Sequence, residues 1–148
     1  MDGYLFDASA LSAYLSPQHQ FHVVAKARID ALPPDALRLV SVITLAEMDY
    51  GIRLAEQARS TRLDEYRQRL SVVRRYAHLE LTHYTGEVYA ELKTRIAARV
   101  LRKAGKKLPR WLEDWIESGS EKRLQVDEND LWLCAQAHHL PSAHLIPK

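Results

Sequence analysis

A single cysteine, Cys134, among 148 residues excludes an internal disulfide and any zinc site built on paired thiolates. It agrees with a reducing compartment. The thiol lies in the apolar helix pattern Leu131-Trp132-Leu133-Cys134-Ala135, where it packs as a small hydrophobe rather than acting as a nucleophile. Long hydrophobic runs are missing too. No apolar stretch approaches the roughly 20 residues that cross a bilayer. Asp2 and Asp7 interrupt the segment where a signal peptide carries its apolar core. A cytoplasmic protein with no membrane partner is therefore expected. There is no internal repeat and no low-complexity segment.

Acidic residues are absent from one stretch. Between Thr94 and Leu112 stand Arg95, Arg99, Arg102, Lys103, Lys106, Lys107 and Arg110, with no Asp or Glu among them. Outside it, 14 basic residues face 19 acidic ones, so the net charge of +2 conceals a concentrated basic segment. Such a segment suits contact with a polyanion, or forms a solvated helix face and loop. Arg102, Lys103, Lys106, Lys107 and Arg110 are the candidate nucleic-acid-binding residues.

What is present reads as one domain over residues 1–148, large enough to bury a core. Gly3–Phe6 is a short apolar run and predicts a strand. Ser9 is placed to cap a helix carrying Ala10, Leu11, Tyr14 and Leu15, which Pro17 stops. Residues 21–32 predict a helix with Val23, Val24, Ala27 and Ala31 on one side. Leu37–Val42 predicts a second strand, followed by helices over about 43–59 and from Leu63 to Ala77. A short strand fits before Thr82. A further helix starts at Gly86 with Tyr89, Leu92, Ile96 and Val100 on one face. Trp111, Leu112, Trp115 and Ile116 predict a short apolar helix after Pro109. Residues 127–139 predict the last helix and Ala143–Ile146 a final strand. Strands alternating with helices give an α/β fold: a short central parallel sheet flanked by helices in an α/β/α sandwich.

Three acids stand out at helix starts: Asp7 after the first strand, Glu47 after the second, and Asp130 before Leu131-Trp132. In a parallel sheet, strand C-terminal ends and the following helix N-termini gather at one edge, where ligands bind. Carboxylates delivered there can share a hard cation. Each acid also has a structural reading. Thr44-x-x-Glu47 fits a capping box, and Asp127 and Asp130 fit a cap favoured by the helix dipole. Asp7 resists this reading best, because an acid directly after a buried strand is costly to desolvate without a partner. Trp111 and Trp115 suit core or interface packing better than base stacking. Histidines 19, 22, 138, 139 and 144 lack an acid-rich shell and make a poor transition-metal set. Asn129 needs only a turn or cap role.

The motifs together bring a family into view. Leu5-Phe6-Asp7-Ala8-Ser9-Ala10-Leu11 resembles the opening motif of PIN domains. Ser41-Val42-Ile43-Thr44-Leu45-Ala46-Glu47 with Tyr50-Gly51 is similar to the second motif, and Asn129–Ala137 to the third. Their order and spacing resemble the VapC toxins of bacterial toxin–antitoxin pairs over nearly the whole chain. The resemblance implies a PIN-like α/β/α sandwich and a Mg²⁺- or Mn²⁺-dependent endoribonuclease. It also implies inhibition by a cognate antitoxin, and a homodimer, to which the tryptophan segment would add a self-contact. It places Asp7, Glu47 and Asp130 as metal ligands and Ser9 as the small polar residue beside the metal. Two departures stand against it. Where many relatives carry a fourth acid beyond the last strand, this chain reads His144-Leu145-Ile146-Pro147-Lys148. Residues 103–123 also form a longer, basic, tryptophan-containing insertion. The missing acid keeps open a catalytically weakened RNA-binding or regulatory module, and the tryptophan segment a protein-docking domain.

Overall fold

The computed structural model describes residues 3–100, 108–117, 119–139 and 143–146. Chain contacts fall into two compact units, one of residues 1–80 and 141–148, the other of residues 81–140.

The first unit is a parallel sheet with four helices. Its strands are β1 (Gly3–Phe6), β2 (Leu37–Ser41), β3 (Ala77–Leu79) and β4 (Ala143–Ile146), in the order β3-β2-β1-β4. All pairings are parallel; Gly3 faces Leu37 on one side and Ala143 on the other, and Phe6 faces Val40 and Ile146. The helices are α1 (Ala8–Leu15), α2 (His22–Asp30), α3 (Val42–Gln57) and α4 (Leu63–Val73). β1 lies inside the sheet, and its Leu5 and Phe6 have no solvent exposure. This explains an apolar run where an edge strand would alternate. Phe6, Leu11, Ile29, Val40 and Val73 form the core, with Tyr4, Tyr14, Leu45, Met48 and Tyr76 packed around them. Each fully buried side chain of this size contributes about 1.5–3 kcal/mol.

Sequence expectation and structure part at α2. Val23 is 79% exposed and Val24 54%, with Phe21 exposed beside them, while Ile29 makes the buried contact. α2 packs against α1 through Ile29, which joins Leu11 in the core. Ser9 is not the cap of α1. That role belongs to Asp7, two residues earlier.

The second unit contains α5 (His83–Val100), a single 3₁₀ turn (Leu112–Asp114) and α6 (Glu128–His139). α5 starts three residues before Gly86, where Thr82 Oγ1 accepts from Thr85 N at 3.3 Å. Its predicted apolar face is real: Tyr89, Leu92, Ile96 and Val100 pack around Leu112, Trp115 and Leu131. The expected tryptophan helix is only the 3₁₀ turn. Residues three apart eclipse in that geometry, so Leu112 and Trp115 are buried together while Trp111 and Ile116 stay exposed. The Trp115 indole N–H donates to Pro109 O at 2.8 Å, so Trp115 belongs to the unit's own core, leaving Trp111 as the exposed ring. Among the described residues, no helix is long and apolar enough to cross a membrane.

Candidate metal centre

Asp7 follows β1 directly and is 7% exposed. Its Oδ1 accepts from Ala10 N at 2.6 Å, so the carboxylate caps α1. The capping role that the sequence made least expected for Asp7 is therefore present. A cap does not exclude a ligand: it fixes the carboxylate at a helix N-terminus, where negative charge is favoured.

Glu47 reaches the same sheet edge from the neighbouring strand. β2 ends at Ser41, whose hydroxyl caps α3 by accepting from Ile43 N at 3.0 Å. Thr44 is not the cap of α3; Ser41, three residues earlier, takes that role. Instead Thr44 is fully buried and its hydroxyl donates to Phe6 O at 3.4 Å, joining the first turn of α3 to the residue before Asp7. Glu47 lies three residues beyond Thr44, on nearly the same helix face and about 5 Å further along the axis. α1 and α3 are in contact. Asp7 and Glu47, 40 positions apart in the sequence, thus stand on adjoining helices at the C-terminal edge of one sheet. The motif reading had not singled out Thr44 as the tie; a hydroxyl between apolar residues at a helix start was its only signal.

Ser9 sits in the first turn of α1, half-buried. It lines a cavity of about 640 Å³ between α1 and α2, together with Ala10, Ala13, Phe21, Arg28 and Ile29.

Asp130 belongs to the second unit. Its N–H donates to Asp127 Oδ1 at 2.8 Å, and its Oδ2 accepts from Asp127 N at 3.4 Å. This reciprocal cap at the start of α6 is the structural role expected for the pair. Burial pushes the nearby Cys134 thiol above its ordinary pKa, as suits a packing thiol.

The second unit holds an ion pair that the sequence reading missed. Glu128 is bonded by Lys93, by the Tyr89 hydroxyl and by Leu112 N at 3.0 Å. Tyr89 in turn stacks on Trp132, with ring centroids 3.9 Å apart. Its signal was the i,i+4 pair Tyr89–Lys93, readable only once α6 was known to cross α5.

Of the predicted RNA-contacting residues, Arg102, Lys103, Lys106 and Lys107 lie outside the described residues. Arg110 is exposed, and its guanidinium lies 4.7 Å from the Trp111 ring centroid. Among the described residues, no three His, Cys, Asp or Glu side chains are grouped to hold a metal ion. Mg²⁺ commonly takes only one or two protein carboxylates and keeps several waters, so the all-oxygen pair Asp7 and Glu47 suits a hard cation. His22 is otherwise engaged, its Nδ1 lying 2.9 Å from Ala13 O.

The fold is similar to that of a chain in the crystal structure of VapBC2 from Rickettsia felis bound to a DNA fragment from their promoter. The TM-score is 0.58 at 14% identity, over 97% of both chains. The α/β fold is thus PIN-like. No family model matches the sequence, and no curated protein matches it.

Proposed function

We propose that this protein is a metal-dependent endoribonuclease toxin of a toxin–antitoxin pair, hydrolysing RNA phosphodiester bonds with Mg²⁺ or Mn²⁺ held by Asp7 and Glu47. The observation that carries the reading is the buried Asp7 carboxylate at the end of the interior strand β1, with Glu47 on the adjoining helix. The fold likeness to a VapBC2 chain supports it. Asp130 enters through its motif. A divalent cation would supply an activated water and offset the charge that develops on the phosphate. The protein's part is to keep the ligands rigid. The Ala10 N–H holds the Asp7 carboxylate in place, and the Thr44–Phe6 bond fixes the helix that carries Glu47. Ser9, in the first turn of α1, would hydrogen-bond a phosphate oxygen or water. The proposed partners are an RNA substrate, a cognate antitoxin and a second copy of the chain; the exposed Phe21, Val23 and Val24 of α2 offer apolar surface to a protein partner.

A second reading is a PIN-like module that binds RNA without cutting it. The engagement of both Asp7 and Asp130 in helix caps favours it. The deciding experiment is RNA cleavage by the purified protein with and without Mn²⁺. Metal-stimulated cleavage that Asp7→Asn abolishes supports the enzyme; RNA binding without cleavage supports the module.

A further inference from the structure

At the opposite end of the same sheet, where β2 and β3 begin, lies a second cavity of about 720 Å³. Arg38, Arg75, Tyr76, Asp30, Pro33 and Pro34 are among its lining residues. Arg38 is half-buried at the start of β2, with its guanidinium 6.0 Å from the Tyr76 ring centroid. Burial pushes the Tyr76 phenol up, opposed by the Arg38 charge and hydrogen bond beside it. Arg75 is exposed, in the turn between α4 and β3.

The charge of this cavity is unbalanced. Asp30 is the acid among its lining residues, and each of its oxygens already accepts one hydrogen bond: Lys26 donates to Oδ2 at 2.6 Å and the Tyr14 hydroxyl to Oδ1 at 3.1 Å. Asp30 lies within electrostatic reach of Arg38. Among the described residues, neither Arg38 nor Arg75 makes an ion pair. Among the lining residues, Arg38 and Arg75 against Asp30 leave the cavity positive. Two guanidinium forks from separate elements offer more donors than a carboxylate's two oxygens can accept, whereas a phosphate presents oxygens on several sides. The aromatic ring under Arg38 and the Pro33-Pro34 wall make part of the site rigid before any ligand arrives.

We propose that this cavity is an anion site for a phosphate group, held by Arg38 and Arg75 and separate from the carboxylate edge of the sheet. The volume exceeds a lone phosphate, so the group would be carried by a nucleotide or by an RNA strand.

The test is thermal shift and titration calorimetry with inorganic phosphate, a nucleoside monophosphate and a short RNA, at fixed ionic strength and without divalent metal. The wild type should be stabilised by phosphate above a chloride control. Arg75→Gln, at an exposed position, should weaken binding roughly tenfold to a hundredfold, as expected for a lost charged hydrogen bond. Arg38→Lys should weaken it while keeping the charge over Tyr76. Arg53→Gln, which removes an exposed partner of Asp49 on α3, should leave it unchanged. Tighter binding of the nucleotide than of the RNA identifies a small-molecule phosphate, and the reverse identifies a strand; both sustain the site. No phosphate response, or an equal response in wild type and Arg75→Gln, overturns it. Because no metal or cleavage enters the assay, the result is independent of the ribonuclease reading.

Discussion

Replacing Asp7 in two ways separates its cap from its charge. In Asp7→Ala, the buried Ala10 N–H loses the acceptor it has at 2.6 Å. An N-cap lost to alanine costs about 0.5–2 kcal/mol, and a buried donor left unpaired costs about 1–3 kcal/mol. These overlap, so about 2 kcal/mol is expected in total. For a chain of this size that lowers Tm by roughly 4–8 °C. Asp7→Asn keeps an oxygen of the same reach, and asparagine caps as well as aspartate. Only the charge–dipole gain of about 0.3–1 kcal/mol is lost, so Tm should fall by no more than roughly 4 °C. Cleavage should behave oppositely. With a ligand charge removed, Asp7→Asn should lose more than about a hundredfold in metal-dependent rate, beyond the range for residues that merely orient ligands. Calorimetry and a gel-based RNA cleavage assay read the two effects on the same samples. Asp7→Asn cutting at the wild-type rate would reduce Asp7 to a cap and sink the metal assignment. Equal melting losses in both variants would instead refute the capping account.

Mg²⁺ or Mn²⁺ at a hundredfold excess over its dissociation constant should stabilise the wild type by about 2.7 kcal/mol, whereas the triple variant Asp7→Asn, Glu47→Gln, Asp130→Asn should respond far less; an equal shift in both places the metal elsewhere. Charge reversal at Arg102, Lys103, Lys106 and Lys107 should weaken RNA binding and flatten its salt dependence while cleavage at saturating RNA survives, and normal RNA affinity with loss of a protein partner would reassign the segment. Burial opposes ionisation of Glu128, but bonds from Lys93, Tyr89 and the Leu112 N–H outweigh it and hold its pKa below the ordinary value. A depressed carboxylate contributes stability above its unfolded pKa and loses it as pH falls through the folded one. Acid unfolding followed by circular dichroism should therefore steepen below the usual glutamate range, and Glu128→Gln should lower stability at neutral pH while flattening that acid limb.

Strand positions were the most legible part of the sequence. Gly3–Phe6 and Ala143–Ile146 are strands with the expected bounds, because runs of four residues bounded by turn signals are too short for a helix. Helix faces were less legible where composition was ambiguous. In α2, Val23-Val24 and Ile29 are all candidates for burial, and only the contact with α1 selects Ile29. Trp111 and Trp115 misled because i,i+4 spacing presumes an α-helix; the chain after Pro109 makes one tighter turn, which pairs Leu112 with Trp115. At the site, Asp7 and Glu47 were placed on one sheet edge by strand-then-acid order alone. The caps were harder. Ser9 and Thr44 have the right chemistry to cap, but Asp7 and Ser41 stand nearer the strand ends and take the first free N–H groups. The Lys93–Glu128 pair was invisible, since 35 residues separate its partners.

The sheet order also sets a timetable. β1 leaves the ribosome well ahead of its partner β4, which lies about 140 positions later. At roughly 5–20 residues per second, the chain spends about 7–28 s between these strands during synthesis. Throughout that interval the side of β1 that will receive β4 has no native neighbour, and its hydrogen-bonding groups must be met by water, other segments or a chaperone. Pairings this distant also slow folding itself. The nascent protein therefore passes through a period in which the strand that delivers Asp7 is present while its sheet is unfinished. Whatever the mature protein does, that competence is acquired only after β4 has been made.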